Sequence, residues 1–309
     1  MIENQTRKGY AFGVAAYLCW GLFPLYWKLL RPSTALEILA HRIVWSFVLV
    51  ALLVFGMRGW RRIGRLARQP REVALIAVAA GLIAVNWGTY IYGVNSDRVV
   101  ETSLGYFINP LVTVVLGVFV LREHLRPGQW GAVAVGAVAV GVLAVDYGHV
   151  PYLALTLAFS FGTYGLVKKR LAVPAADGLL LESGALAVPA LIFLSVLAGN
   201  GQSTFGNVFA GHTALLILSG AVTAIPLLLF AGAANRIPLS AIGLLQYLAP
   251  ILQLGCGVIV FNEPMPPVRL AGFALVWLAL AIFTWDGIRH VRTRGRVTIS
   301  EPAPTPASI

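Results

Sequence analysis

Residues 95–123 read NSDRVVETSLGYFINPLVTVVLGVFVLRE, and residues 235–263 read NRIPLSAIGLLQYLAPILQLGCGVIVFNE. Laid over each other at an offset of 140, they bring Asn95, Pro110, Gly117 and Glu123 onto Asn235, Pro250, Gly257 and Glu263 without a gap. Further along, Asp146 falls on Asp286. At an offset of 141, Gly21 and Lys28 meet Gly162 and Lys169. Self-similarity at a fixed separation marks a duplicated unit. Each stretch also holds an apolar run of about 20 residues, the length of one hydrocarbon crossing.

Outward from these two stretches, apolar windows between charged or Gly/Pro-rich breaks give spans near 9–30, 36–57, 73–94, 100–121, 128–147, 151–170, 176–198, 212–233, 239–261 and 268–288. With 58% hydrophobic residues, 11% charged residues and a mean hydropathy of +0.81, the chain cannot hide its apolar surface in a soluble fold, where about 25% of residues are charged. Lipid admits helices or closed barrels, and these runs are too long and too continuous for barrel strands. The expected fold is an all-α membrane protein of ten transmembrane helices. It is built as two five-helix repeats, 1–147 and 151–288, with a disordered cytoplasmic tail over 289–309. Five is odd, so the second repeat starts from the opposite face and runs inverted. Inverted repeats typify secondary transporters, whose halves rock about a central site. Pro110 and Pro250 fall near the middles of spans four and nine, where each removes a backbone donor, and are candidate hinges. Proline is also simply commoner in membrane helices.

The formal charge of +11 would suggest nucleic acid for a soluble protein. Here 18 of 23 basic residues lie on one side of the spans: Arg7, Lys8, the six arginines from Arg58 to Arg71, Arg122, Arg126, Lys168 to Arg170, Arg236, and Arg289 to Arg296. Lys28, Arg31, Arg98 and Arg269 lie on the other side, and Arg42 within a span. The crowded side is expected to be cytoplasmic and to hold both termini; the partner is the lipid bilayer, and no nucleic acid is expected. The basic segment from Arg58 to Arg71 reads as an orienting loop, with an interfacial helix seeking anionic lipid or a nucleic-acid patch as the alternatives. The first apolar run is too long for a signal peptide and lacks a cleavage site, so it reads as a retained span. Cys19 and Cys256 sit in apolar runs, which gives neither a disulfide framework nor a metal site. No phosphate-loop, H-E-x-x-H, C-x-x-C or G-x-S-x-G motif occurs. Catalytic residues, cofactors and metals are therefore not expected.

Several strings resemble the EamA-type transporters of the drug/metabolite transporter superfamily, and within them the bacterial RarD subfamily. They are Lys8-Gly9 followed by Tyr17-Leu-Cys-Trp-Gly-Leu-Phe-Pro24; Glu37-Ile-Leu-Ala-His41-Arg42 with Val44-Trp45-Ser46; Asn86-Trp87 with Tyr90 and Tyr92; Glu101-Thr-Ser-Leu-Gly-Tyr106-Phe-Ile-Asn109-Pro110; and Arg122-Glu123. The resemblance covers nearly the whole chain, more loosely in the second half. It implies a ten-helix carrier of the bacterial inner membrane, nominally linked with chloramphenicol sensitivity, and no known substrate.

Charges inside spans cost about 2.5–3.5 kcal/mol each on insertion scales, so each needs a reason. Glu37 and His41 are four apart and share a helix face; together with Arg42 they form either a substrate or proton site, with Arg42 anchoring an anionic group and His41 as a gate, or a structural set in which Arg42 pairs with Glu101. Glu182, opposite Arg42 in the repeat, is a gate counterpart or a partner of Lys168 to Arg170. Trp20, Asn86, Asn109, Ser160 and Thr223 fall near the midplane. Asn86 and Asn109 can bind donors or acceptors, and Trp20, Tyr90 and Tyr106 offer aromatic walls for a small organic solute. Glu123 and Glu263 read as helix-end organisers. Gly131, Ala132, Gly136, Ala137 and Gly141 make a small-residue face for packing within the chain, with a homodimer as the alternative. An intramembrane enzyme using Glu37, His41 and Arg42, or a receptor or scaffold, stands behind the carrier; the cluster lacks a nucleophile or metal set.

Overall fold

A computed structural model describes residues 2–299 apart from Met57, Arg58, Glu123, His124, Ala172, Pro174, Asn235, Pro238, Leu239, Ser240, Gly243 and Leu244. Glu123 and Asn235 of the repeat, Arg58 of the basic segment and residues 300–309 of the tail thus lie outside the described residues, as do the side chains of Lys169 and of residues 287–299. The described regular elements are all helical. They are α1 (Ile2–Gly21), α2 (Phe23–Leu29), α3 (Ala35–Gly56), α4 (Trp60–Leu66), α5 (Pro70–Asn95), α6 (Val99–Leu121), α7 (Pro127–Tyr147), α8 (Tyr152–Leu171), α9 (Ala175–Gly199), α10 (Ala210–Ala234), α11 (Leu248–Gly255) with a π-helical turn (Cys256–Val260), and α12 (Pro267–Ile299). Among the described residues, seven helices, α3, α5, α6, α7, α9, α10 and α12, are long and apolar enough to cross a membrane. Large apolar side chains such as Leu52, Phe55, Phe119, Val145 and Val188 stand exposed on them. An apolar exterior of this extent suits lipid and not water. The chain is an all-α membrane protein.

Local chemistry explains where helices break. The first span is interrupted at Leu22, because Pro24 lacks the N–H that would continue the ladder and instead occupies the first turn of α2. Pro110 lies inside α6, which runs on through it. Pro250 sits in the first turn of α11, where a missing donor leaves no helix bond unmade; from Leu248 onward the ninth apolar window is thus a short helix and a π-turn, closed by Phe261 N–H to Cys256 C=O at 2.9 Å. The basic segment contains a short helix, α4. The backbone of residues 289–299 continues α12.

Two compact units make up the fold. The first contains residues 1–113 and 151–265. In it α3 lies against α9 and α10, α5 against α8, and α1 against α10 and α11. Gly220 lets α10 touch the backbone of Trp45 on α3, where any side chain would collide. Trp27, Ile38, Ile91, Leu157 and Leu216, fully buried, join α2, α3, α5, α8 and α10 in one core.

The second unit contains residues 114–150 and 266–309, with α7 packed on α12. Arg126, before α7, donates from Nε to Asp286 near the end of the apolar part of α12, at 2.7 Å. Reciprocally, Arg269, in the first turn of α12, donates to Asp146 at the end of α7, also at 2.7 Å. The two helices therefore run antiparallel. Ala132, Gly136, Ala139 and Leu143 form the buried face of α7, and Gly272 of α12 approaches Leu143 too closely for a side chain. Of the small-residue face expected on α7, Gly131 has open space beside its Cα, and Ala137 and Gly141 are exposed. Arg122 and Asn262, a repeat length apart, both adopt left-handed backbone, with φ of 55° and 53°.

Candidate functional site

α3 is apolar on every face except for Glu37, His41, Arg42 and Ser46, all of them buried. Arg42 therefore points inward from a helix whose remaining polar residues are Glu37, His41 and Ser46. Its Nε donates to Thr223 Oγ1 of α10 at 2.8 Å. Its guanidinium carbon lies 3.9 Å from the ring centre of Trp87, 4.9 Å from that of Trp27 and 5.8 Å from that of Phe23. Such cation–π contacts contribute about 0.5–2 kcal/mol each. One turn along α5 from Trp87, the Tyr90 ring meets Tyr106 of α6 edge-on at 5.6 Å. Asn86 donates to Leu157 C=O at 3.0 Å and to Ser160 Oγ at 3.1 Å, both on α8, and accepts from the Tyr106 hydroxyl at 3.3 Å. Polar groups of α3, α5, α6, α8 and α10 thus meet in the interior of an apolar bundle.

The expected Arg42–Glu101 pair does not form. Glu101 is held by Arg98, three residues earlier, and accepts the Leu153 N–H at 3.2 Å, so it caps α8. Around it, one end of the first unit is tied together. Asp97 takes Lys28 and Arg31, which hold its carboxyl below the ordinary carboxylate range. Glu263 accepts Val99 N–H at 2.6 Å and Val100 N–H at 2.8 Å, capping α6. At the other end, Arg62 of α4 grips Asp177, and Glu182 takes Lys168 at 2.8 Å and Tyr164 at 3.0 Å.

Glu37 lies elsewhere in the unit. One oxygen accepts Thr204 N–H at 2.7 Å and the Ser203 hydroxyl at 3.1 Å, while the other is sealed without a partner. The His41 ring stacks on Phe205 at 4.8 Å, and its Nε2 is likewise sealed without a partner. His212 of α10, buried, bonds Ser33 at 2.8 Å. His212, Ser33, Thr204, Trp27 and Trp87 were not among the residues singled out from the sequence as site candidates. Trp20 packs on Tyr17 and Phe230, near the rim of the aromatic core. The Asn109 side-chain oxygen is buried without a partner.

Intramembrane charges and amides gathered inside a multi-helix bundle are the mark of a membrane protein with an internal functional site, the class to which membrane transporters belong. A solved crystal structure superposes with a TM-score of 0.57 over 91% of this chain and 98% of its own, at 20% identity, which establishes a shared fold. The EamA-like transporter family matches residues 7–145. The protein RarD of Streptomyces exfoliatus is 53% identical over 98% of this chain and 96% of its own, and the uncharacterized transporter YojE of Bacillus subtilis is 44% identical over 94% and 98%. The chain belongs to the EamA family of transporters, in its RarD subfamily.

Proposed function

We propose that the protein is a secondary transporter that carries a small organic solute by alternating access, with the binding site in the first unit around Arg42, Asn86, Tyr90, Tyr106 and Thr223, and Trp20 and Asn109 at its margins. The observation that carries this reading is the convergence of polar groups from five helices inside an apolar bundle. Polar and ionisable groups at such depth are costly to bury, and where they gather they mark solute or ion pathways.

The two inverted halves, 1–147 and 151–288, give ten spans in the bacterial cytoplasmic membrane with both termini cytoplasmic. Three features support the inversion: the 140-residue offset, the left-handed backbone shared by Arg122 and Asn262, and the reciprocal pairs Arg126–Asp286 and Arg269–Asp146. In that orientation the Lys28–Asp97, Arg98–Glu101 and Glu263–α6 ties lie at the outer end and the Arg62–Asp177 and Lys168–Glu182 ties at the inner end, as a carrier's two gates. Pro110 and Pro250 are the hinges. Glu37, His41 and His212, each buried with one sealed, unpartnered polar atom, form the gating and proton-coupling set.

Purified protein in liposomes is expected to show saturable flux and counterflow for some member of a broad metabolite panel. Chemical turnover of a lipid or solute with no flux would overturn the carrier. His41→Gln should retain flux and lose its response to an imposed pH gradient; an unchanged response removes His41 from coupling.

A further inference from the structure

Building on the carrier reading, we propose that the solute is an organic anion, whose carboxylate serves as the counter-ion of Arg42. The argument begins with charge. Arg42 is 3% exposed, and a buried guanidinium without an opposite charge costs several kcal/mol. Among the described side chains of its unit, every carboxylate is committed elsewhere or distant. Glu37 is held by Thr204 and Ser203, Asp97 by Lys28 and Arg31, Glu101 by Arg98, Asp177 by Arg62, Glu182 by Lys168, and Glu263 by the start of α6. Glu72 sits in the first turn of α5, about four helical turns before Trp87. The ring contacts offset part of the cost and supply no net charge.

Geometry then selects the kind of anion. Indole and phenyl rings surround the guanidinium at Trp87, Trp27 and Phe23, and Nε is used on Thr223. That is the only hydrogen bond Arg42 makes among the described residues, so its two terminal NH2 groups are available. These form the planar fork that takes a carboxylate through two parallel bonds. Two further groups of the same core, the Trp27 indole N–H and the Tyr90 hydroxyl, are buried without a partner. Both can donate, as the guanidinium does. A ligand group that is negative and carries several acceptor oxygens answers all three. A neutral solute supplies oxygen without charge, and a cationic one is repelled. Tyr106 and Phe161, edge to face at 6.4 Å, offer an apolar wall for the body of the molecule.

The test uses full-length protein in lipid nanodiscs, titrated with benzoate and hexanoate against their neutral amides, benzamide and hexanamide, with tryptophan fluorescence as the readout. Both carboxylates should quench saturably and bind at least ten-fold more tightly than the amides. Arg42→Gln should abolish that preference. Thr223→Glu, which places a carboxylate beside the guanidinium, should keep the wild-type thermal midpoint and lose carboxylate binding. Equal binding of acids and amides, a preference that survives in Arg42→Gln, or no saturable response to either acid would overturn the proposal. Equal competition by chloride would also overturn it, by showing a site for any small anion. The two readings fail differently. Flux of neutral solutes by a protein indifferent to benzoate sinks the anion and leaves the carrier, whereas Arg42-dependent benzoate binding with no flux of any solute sinks the carrier and leaves the anion site.

Discussion

Glu101 shows how a near neighbour outcompetes a plausible distant one. Arg98 stands three residues before it, on the same helix edge, and the pair forms there with Arg98 still a quarter exposed. The remaining oxygen goes to the start of α8. This leaves Arg42 to its rings and Thr223, which is the source of its unbalanced charge. Glu101→Gln weakens the hold on Arg98 and the charge at the α8 cap together, and an expected loss of about 2 kcal/mol follows from disrupting a largely buried pair. Thermal unfolding in detergent checks it. A loss much below 1 kcal/mol would show that Arg98 finds equal company elsewhere. The i, i+3 spacing of Arg98 and Glu101 was visible in the sequence. The stacking of Arg42 was not, because Phe23, Trp27 and Trp87 come from two other helices and cation–π contacts leave no spacing pattern.

At the level of elements, hydropathy located the long helices to within a few residues except at the far end of α12, which runs on to Ile299 where a disordered tail was expected from residue 289, since lipid allows a spanning backbone few other solutions but sets no limit on a helix beyond it. It was blind to the interruptions. An apolar window reads the same through Leu22 and Tyr247 as through an unbroken helix, and the effect of a proline depends on whether it sits in a first turn, as Pro250 does, or inside, as Pro110 does. Likewise, Gly131 and Gly136 looked equivalent on α7, and only the direction of α12 separates them. The α7–α12 pairing makes a symmetric prediction. Arg126→Asp and Asp286→Arg should each destabilise the protein, by about 1–2 kcal/mol given partial exposure, and the double reversal should restore most of the loss. The same should hold for Asp146 and Arg269. Thermal midpoints of the single and double variants form the two cycles, and additive losses in the doubles would show that the pairs contribute nothing as pairs.

For the molecule as a whole, the distribution of basic residues is the argument for the proposed topology, and that proposal is testable without knowing the solute. In a background lacking Cys19 and Cys256, single cysteines at Gly148 and Gly201, both in turns between helices, should react with an impermeant maleimide on intact cells. A cysteine at Gly64, in the basic helix α4, should react only after the membrane is opened. Labelling of Gly64 and Gly201 from the same side would end the two-half topology, because an even number of crossings would then separate them.

The crossed ion pairs of α7 and α12 carry one more implication. Each helix brings an arginine at the beginning of its apolar run and an aspartate at that run's end, so the seam looks the same when the helices trade places. A second copy of α7, turned end over end, would meet the first with Arg126 facing Asp146 twice over. The join is therefore self-complementary. A half-length chain inserted into the bilayer in both directions would already hold both sides of its own lock.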